Sequence, residues 1–262
     1  MRQIITVAHV VWLEMIRRKD FYILFILLSA LLIWLMIFDV FGLTTVSGYI
    51  KDLGLLAVWI MGWILALNTS IRQLPQEEQR GTLFPLLAKP ISRLNIILGK
   101  WLGSWSITCL ALLCFYITLW LGITIKEGRF DYATLCQGFL LHCAALAIVC
   151  AMGLALSTRM NRDAAATTAY VLTGTAFLML PKIPSMLIHT QGVAGALLLG
   201  LYYLFPHFEL FDIRHRLVHD WGCAPWLTVC EILLYAVLMT SVFLILAWLS
   251  YRNRRFTREN LT

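Results

Sequence analysis

The chain has 262 residues, 60% of them hydrophobic and 13% charged, with 21 Lys and Arg against 14 Asp and Glu. Its apolar residues come in runs of about 18 or more, the length an α-helix needs to cross ~30 Å of hydrocarbon, whereas a closed barrel would need short alternating segments. The fold class is therefore all-α integral membrane, with residues 1–262 forming a single transmembrane domain.

Residues 1–19 open the chain with Ile4, Val7, Ala8, Val11 and Met15 at helical spacing, and Glu14 and Arg18 stand four apart on the polar side. That pattern predicts an amphipathic helix lying in the membrane interface. The first span follows at 21–42. Bulky Val40 and Phe41 near its end, and the lack of an A-x-A-like cleavage site, set it apart from a secretory signal.

The second span is read at 54–71, and the polar window 72–96 comes next. Inside the window Thr82 caps a short helix beginning at Leu83, Pro85 sits in the first turn where a missing N–H costs little, and Leu83, Leu86 and Leu87 make one apolar face. Pro90 ends that helix, and Ser92 caps the next, which runs into the third span at 97–125. The remaining spans are 135–157, 165–181 and 225–250. Between the last two lies a long connection, 182–224, whose apolar stretch at 191–205 is short for a crossing and reads as re-entrant or interfacial.

With both termini on one side, that side carries fifteen of the 21 basic residues, from Arg2, Arg17, Arg18 and Lys19 at one end to Arg252, Arg254, Arg255 and Arg258 at the other. This is the asymmetry of the positive-inside rule, so the net charge of +7 is mainly a topology signal and no nucleic acid is expected as a partner. The membrane implied is a bacterial-type inner membrane, with both termini cytosolic. The seven cysteines form no C-x-x-C pair and read as small buried hydrophobes.

Catalytic motifs are missing from the sequence. Gly99-Lys100 is followed by Trp101 and lacks the upstream glycine and the hydroxyl of a phosphate-binding loop, and neither H-E-x-x-H nor G-x-S-x-G occurs. No catalytic residue, cofactor or metal is assigned to the chain. His215 and His219, four apart and flanked by Asp212 and Asp220, make the one metal-like spacing. Polar residues within spans are candidates for a pathway: Asn68 and Thr69 in the second, Thr168 in the fifth, and Glu231 in the last. Such residues, with Ser70, Gln137, His142 and Thr173, serve equally well as interhelical hydrogen bonds.

Glu77, Gly81, Thr82, Leu83, Leu86, Leu87, Pro90, Ile91, Ser92, Arg93, Gly99 and Lys100 spell E-x-x-x-G-T-L, L-L-x-x-P-I-S-R and G-K. This resembles the signature of type-2 ABC transporter permeases, and nearly the whole chain follows that layout. Phe84-Pro85 departs from the apolar-acidic pair many relatives carry there. The resemblance implies a permease subunit, an exporter, whose coupling helix at 77–93 docks on a separate ATP-binding subunit through Glu77, Arg80, Gly81, Thr82, Leu83, Leu86, Leu87, Pro90, Ser92 and Arg93. It also implies ATP and Mg in that partner, two permease chains as a homodimer or a heterodimer, and contact with membrane lipid. Two other functions fit the residues: a non-transporting anchor that recruits an ATPase for envelope or metalloprotein maturation, and a membrane enzyme using the outer His/Asp loop.

Overall fold

A computed structural model describes residues 2–17, 19–37, 46–79, 92–127, 132–188, 190, 192–219 and 221–252, and among them it contains helices and no strand. Its long helices are α1 (Arg2–Ile16), α2 (Lys19–Ile37), α3 (Val46–Gln79), α4 (Arg93–Glu127), α5 (Tyr132–Ser157) and α6 (Arg162–Met179). A 3₁₀ turn at Leu180–Lys182 leads to α7 (Ile183–Leu187) and α8 (Val193–Leu204). A second 3₁₀ turn, Phe208–Phe211, precedes α9 (Arg214–Val218), and α10 (Trp226–Arg252) closes the described chain.

Among the described residues five stretches are long and apolar enough to cross a membrane: Lys51–Pro75, Arg93–Ile125, Tyr132–Ser157, Arg162–Leu187 and Trp226–Arg252. Val193–Leu204 and Phe208–Val218, bent by 49° relative to one another, make six if they are taken as one span. The sequence reading reaches six differently, by counting 21–42. That span lies on the uncharged part of α2, from Phe21 to Ile37, while Val40 and Phe41 fall outside the described residues.

α5 is the axis of the bundle and packs against α3, α4, α6 and α10. It is apolar on every side, as a helix surrounded by others must be, and Leu141, Leu146, Ile148 and Leu154 are all fully covered. Small residues set its distance from α3. A side chain at Gly153 would collide with Ser70, whose hydroxyl instead turns back to the Ala66 carbonyl at 2.7 Å. Without a hydrophobic driving force between helices in lipid, such close contact and a few hydrogen bonds hold the bundle together. α3, α5 and α10 finish at one end of the bundle, where α4 and α6 begin. This basic end carries Arg93, Arg159, Arg162 and Arg252.

The predicted apolar face of α1 is correct, since Val7, Ala8, Val11 and Met15 are buried. What covers it is protein: α1 runs along the first half of α4. The cause is a G-x-x-x-G spacing, Gly99 and Gly103, which the sequence reading did not single out. A Cβ at Gly99 would stand 2.6 Å from Val7 Cβ and 2.9 Å from the Ile4 carbonyl, and one at Gly103 would stand 2.8 Å from Val11 Cβ. Gln3 accepts from Asn95 Nδ2 at 2.8 Å, and Trp12 Nε1 donates to Ser106 Oγ at 2.7 Å, which pins both ends of the contact. At 35 residues α4 is about 52 Å long and outlasts the hydrocarbon layer, so α1 has helix to lean on at headgroup level. Arg18, the intended partner of Glu14, lies outside the described residues.

The second span is longer than its sequence reading. α3 continues past 71 and through Pro75 to Gln79, so the polar window begins as helix. Proline removes only the N–H that would serve Ile71, and burial outweighs the loss. Leu74, 2% exposed, packs with Ile97, Leu154, Ala247 and Tyr251 from three other helices. The fifth span likewise continues beyond 181, because the 3₁₀ turn and α7 carry the apolar column on to Leu187.

Gly99→Ala is expected to destabilise the detergent-solubilised protein by about 1–3 kcal/mol, the usual cost of overpacking, and to lower its thermal midpoint. Gly174→Ala, where a Cβ meets nothing within 4 Å, should leave the midpoint unchanged or raised.

Candidate functional site

Arg80, Gly81, Thr82, Leu83, Leu86, Leu87, Pro90 and Ile91 lie outside the described residues, and Glu77 is described only as helical backbone near the end of α3. The structure therefore shows the two ends from which the segment is held. At the far end Ser92 stands before α4. Its hydroxyl accepts from the Asn95 N–H at 3.2 Å and its carbonyl from the Ile96 N–H at 3.2 Å, so the expected cap is formed.

Arg93, the next residue, serves a different helix. Its Nη1 donates to the carbonyls of Tyr251 at 2.9 Å and Arg252 at 2.7 Å, and its guanidinium lies 5.9 Å from the Tyr251 ring centre. The last carbonyls of a helix have no partner inside it and carry the negative end of its dipole, so a cation placed there caps α10. The serine and arginine of P-I-S-R thus close the start of one span and the finish of another.

Lys100 makes the third tie. It is 1% exposed, and its Nζ donates at 3.1 Å to the Gln73 carbonyl, two residues before Pro75. Gly99 receives α1 while Lys100 grips α3, so the G-K pair joins three helices at one level.

The polar residues inside the spans divide by role. Thr69 and Thr108 face each other across α3 and α4, with hydroxyls 3.3 Å apart, and Asn68 Oδ1 accepts from Arg72 at 3.4 Å. Gln137 brackets Ala224, accepting from its N–H at 2.9 Å and donating to its carbonyl at 3.0 Å, and so fastens the long connection to the first turns of α5. His142 is fully buried and stacked on Trp59, ring centroids 4.1 Å apart, with Nδ1 3.4 Å from Tyr116 Oη. Thr173 returns its hydroxyl to the Ala169 carbonyl. Of the pathway candidates, Asn68 and Thr69 sit together on α3, Thr168 is half-buried on α6, and Glu231 is exposed on α10. Nothing among the described residues hydrogen-bonds these three positions to one another.

In the long connection, Arg214 binds Asp212 through Nη2 at 2.6 Å and Nε at 2.7 Å, so that carboxylate is already engaged. His215 and His219 stack with centroids 6.4 Å apart, and Asp220 lies outside the described residues. Among the described residues no three His, Cys, Asp or Glu side chains converge on a metal-sized space.

Sequence reasoning missed the partners more than the positions. Gln3, Trp12, Gln73, Gly103 and Tyr251 hold the frame, yet only the glycine spacing was visible as a pattern. The others are single polar or aromatic residues whose partners lie on helices far away in the chain.

The family profile described as ABC-2 family transporter protein matches residues 14–261. No match is found among curated proteins.

Removing the Arg93 clamp leaves two carbonyls of α10 without their charged donor, at a cost of about 1.5–3 kcal/mol. Arg93→Gln should therefore speed amide hydrogen exchange in the last turn of α10 while leaving its first turns as in the wild type.

Proposed function

The chain belongs to the ABC-2 family of transporter proteins, and on that footing we propose that it is the membrane half of an ATP-driven exporter, moved by a separate ATP-binding subunit that docks on 77–93. Members of the family are membrane components of ABC transporters and do not themselves carry the nucleotide site, so a partnership with an ATP-binding subunit follows from membership. In this reading ATP and Mg²⁺ sit in the partner, while this chain supplies the contact and the moving wall.

One observation supports the proposal: residues flanking 80–91 are bonded to several helices at once, as a coupling element would need. Ser92, Arg93 and Lys100 tie the entry and exit of the segment to α3, α4 and α10, and Gly99 adds α1. A push on the segment would be shared by four helices rather than absorbed by a loose hairpin. Export is the direction the family resemblance implies, and Asn68, Thr69, Thr168 and Glu231 remain the candidate wall of the pathway. One bundle gives one side of a passage, so two copies are proposed to pair, as symmetric oligomers most often do. In this reading the chain lies in an inner membrane, with the basic end and both termini in the cytosol and 191–205 re-entrant or interfacial. A reporter fused after Trp221 is then expected outside and one fused after Arg255 inside; the same side for both would overturn that topology.

Glu77→Ala, Gly81→Leu and Leu86→Asp should each reach the membrane at near-normal level yet lose coupled activity. Leu86→Asp should be worst, because a carboxylate without a partner in an apolar contact costs about 2 kcal/mol or more, enough to weaken ATPase binding at least about tenfold. The measurement is co-purification of the ATP-binding subunit, with the native mass expected at two permease chains and two ATPases, together with transport-dependent ATP hydrolysis. Wild-type behaviour from all three variants would remove the assignment of 77–93 as the docking element.

A further inference from the structure

A cavity of about 380 Å³ opens at the basic end between α5, α6, α10 and the end of α8. Leu156, Leu172, Phe205 and Leu246 form its apolar walls, and its two polar positions are Arg159 and Ser250. These two lie side by side, since Arg159 Nε donates to Ser250 Oγ at 3.0 Å. The hydroxyl holds the guanidinium at the rim while both Nη groups stay without a protein partner among the described residues. Arg162 and Arg252 stand at the adjoining helix ends, with Asp163 in the first turn of α6.

The geometry points to a binding site for one anionic phospholipid, with an acyl chain in the cavity and the phosphate on Arg159. The volume lies at the lower end of the range for small-molecule pockets, and a slot walled on three sides by aliphatic and aromatic groups suits a flexible hydrocarbon chain. The cation is at the correct depth for a headgroup, beyond the last apolar turns of α5 and α10. Basic pockets between spans on the positively charged side of a membrane protein bind anionic headgroups by this combination. A planar guanidinium whose two Nη groups form an unused edge meets a phosphate at two points. The site is independent of the docking proposed for 77–93 and of what the protein moves.

A bound chain would also touch Leu204, Phe205 and Pro206, where α8 ends. From there the connection passes His207, whose N–H donates to the Tyr235 hydroxyl at 3.0 Å, and reaches Ala224, held by Gln137. Lipid in the cavity would thus hold the deep turn of this connection against α5 and α10.

The test is native mass spectrometry of the purified full-length protein with equal amounts of phosphatidylglycerol and phosphatidylcholine, paired with thermal midpoints. One phosphatidylglycerol per chain should survive detergent exchange and raise the midpoint. Arg159→Gln should bind it about tenfold more weakly, the loss of a charge-assisted contact, while Arg159→Lys keeps part of the preference. Leu156→Trp and Leu246→Trp, which fill the cavity from two different helices, should each abolish retention, so a folding defect in one leaves the other to decide. Glycerol 3-phosphate, the headgroup without a chain, should not compete. Equal retention of both lipids, wild-type retention by Arg159→Gln and both tryptophan variants, or competition by glycerol 3-phosphate would overturn the site.

Discussion

Each end of a helix leaves four carbonyls or four N–H groups without partners inside it, and capping side chains supply them. At the basic end of this protein several helices stop or start within reach of one another, and a single stretch, residues 92–100, meets their needs. Ser92 serves the N–H groups opening α4 and Arg93 the carbonyls closing α10, while Lys100 adds a bond to the Gln73 carbonyl within α3. The same stretch holds Gly99, whose missing side chain lets α1 settle against α4. The packing of the four helices at this level depends on that one segment.

This arrangement gives a physical account of residues that a family signature only marks. Gly99 and Lys100 stand together because one accepts a helix and the other reaches back to a carbonyl. Ser92 and Arg93 stand together because a cap for one helix and a cap for its neighbour are needed at the same place. The other end of the bundle is held differently, by Gln137 on Ala224 and by α9 against the starts of α3 and α5. The long connection is thereby fastened at Ala224 and at His207, and its intervening turns are tied internally by Arg214 on Asp212.

Much of the fold was legible because lipid imposes a simple demand, long apolar helices, and the residues comply. The spans at 97–125 and 135–157 fall within α4 and α5, that at 225–250 begins one residue before α10, and the face of α1 was read correctly from Val7, Val11 and Met15. The failures have a common cause. The sequence reading stops the second span at 71 because polar residues follow, but Leu74 buries against Ile97 and Tyr251, and contacts between distant parts of the chain carry the helix on. The covering of α1 was equally hidden, since amphipathicity shows that a face is covered without saying by what. At the candidate site, Ser92 was legible as a cap from local chemistry, whereas the clamp of Arg93 on Tyr251 links positions 158 residues apart.

The central claim is that the ends of 77–93 move as one body with α3, α4 and α10. Spin labels at Leu94 and Ser250, with a second pair at Leu94 of each copy, can be followed by pulsed dipolar spectroscopy in the complex with and without ATP. The account predicts that the distance within one chain stays constant while the distance between copies changes. A within-chain distance that changes with nucleotide, at a fixed separation of the copies, would contradict it.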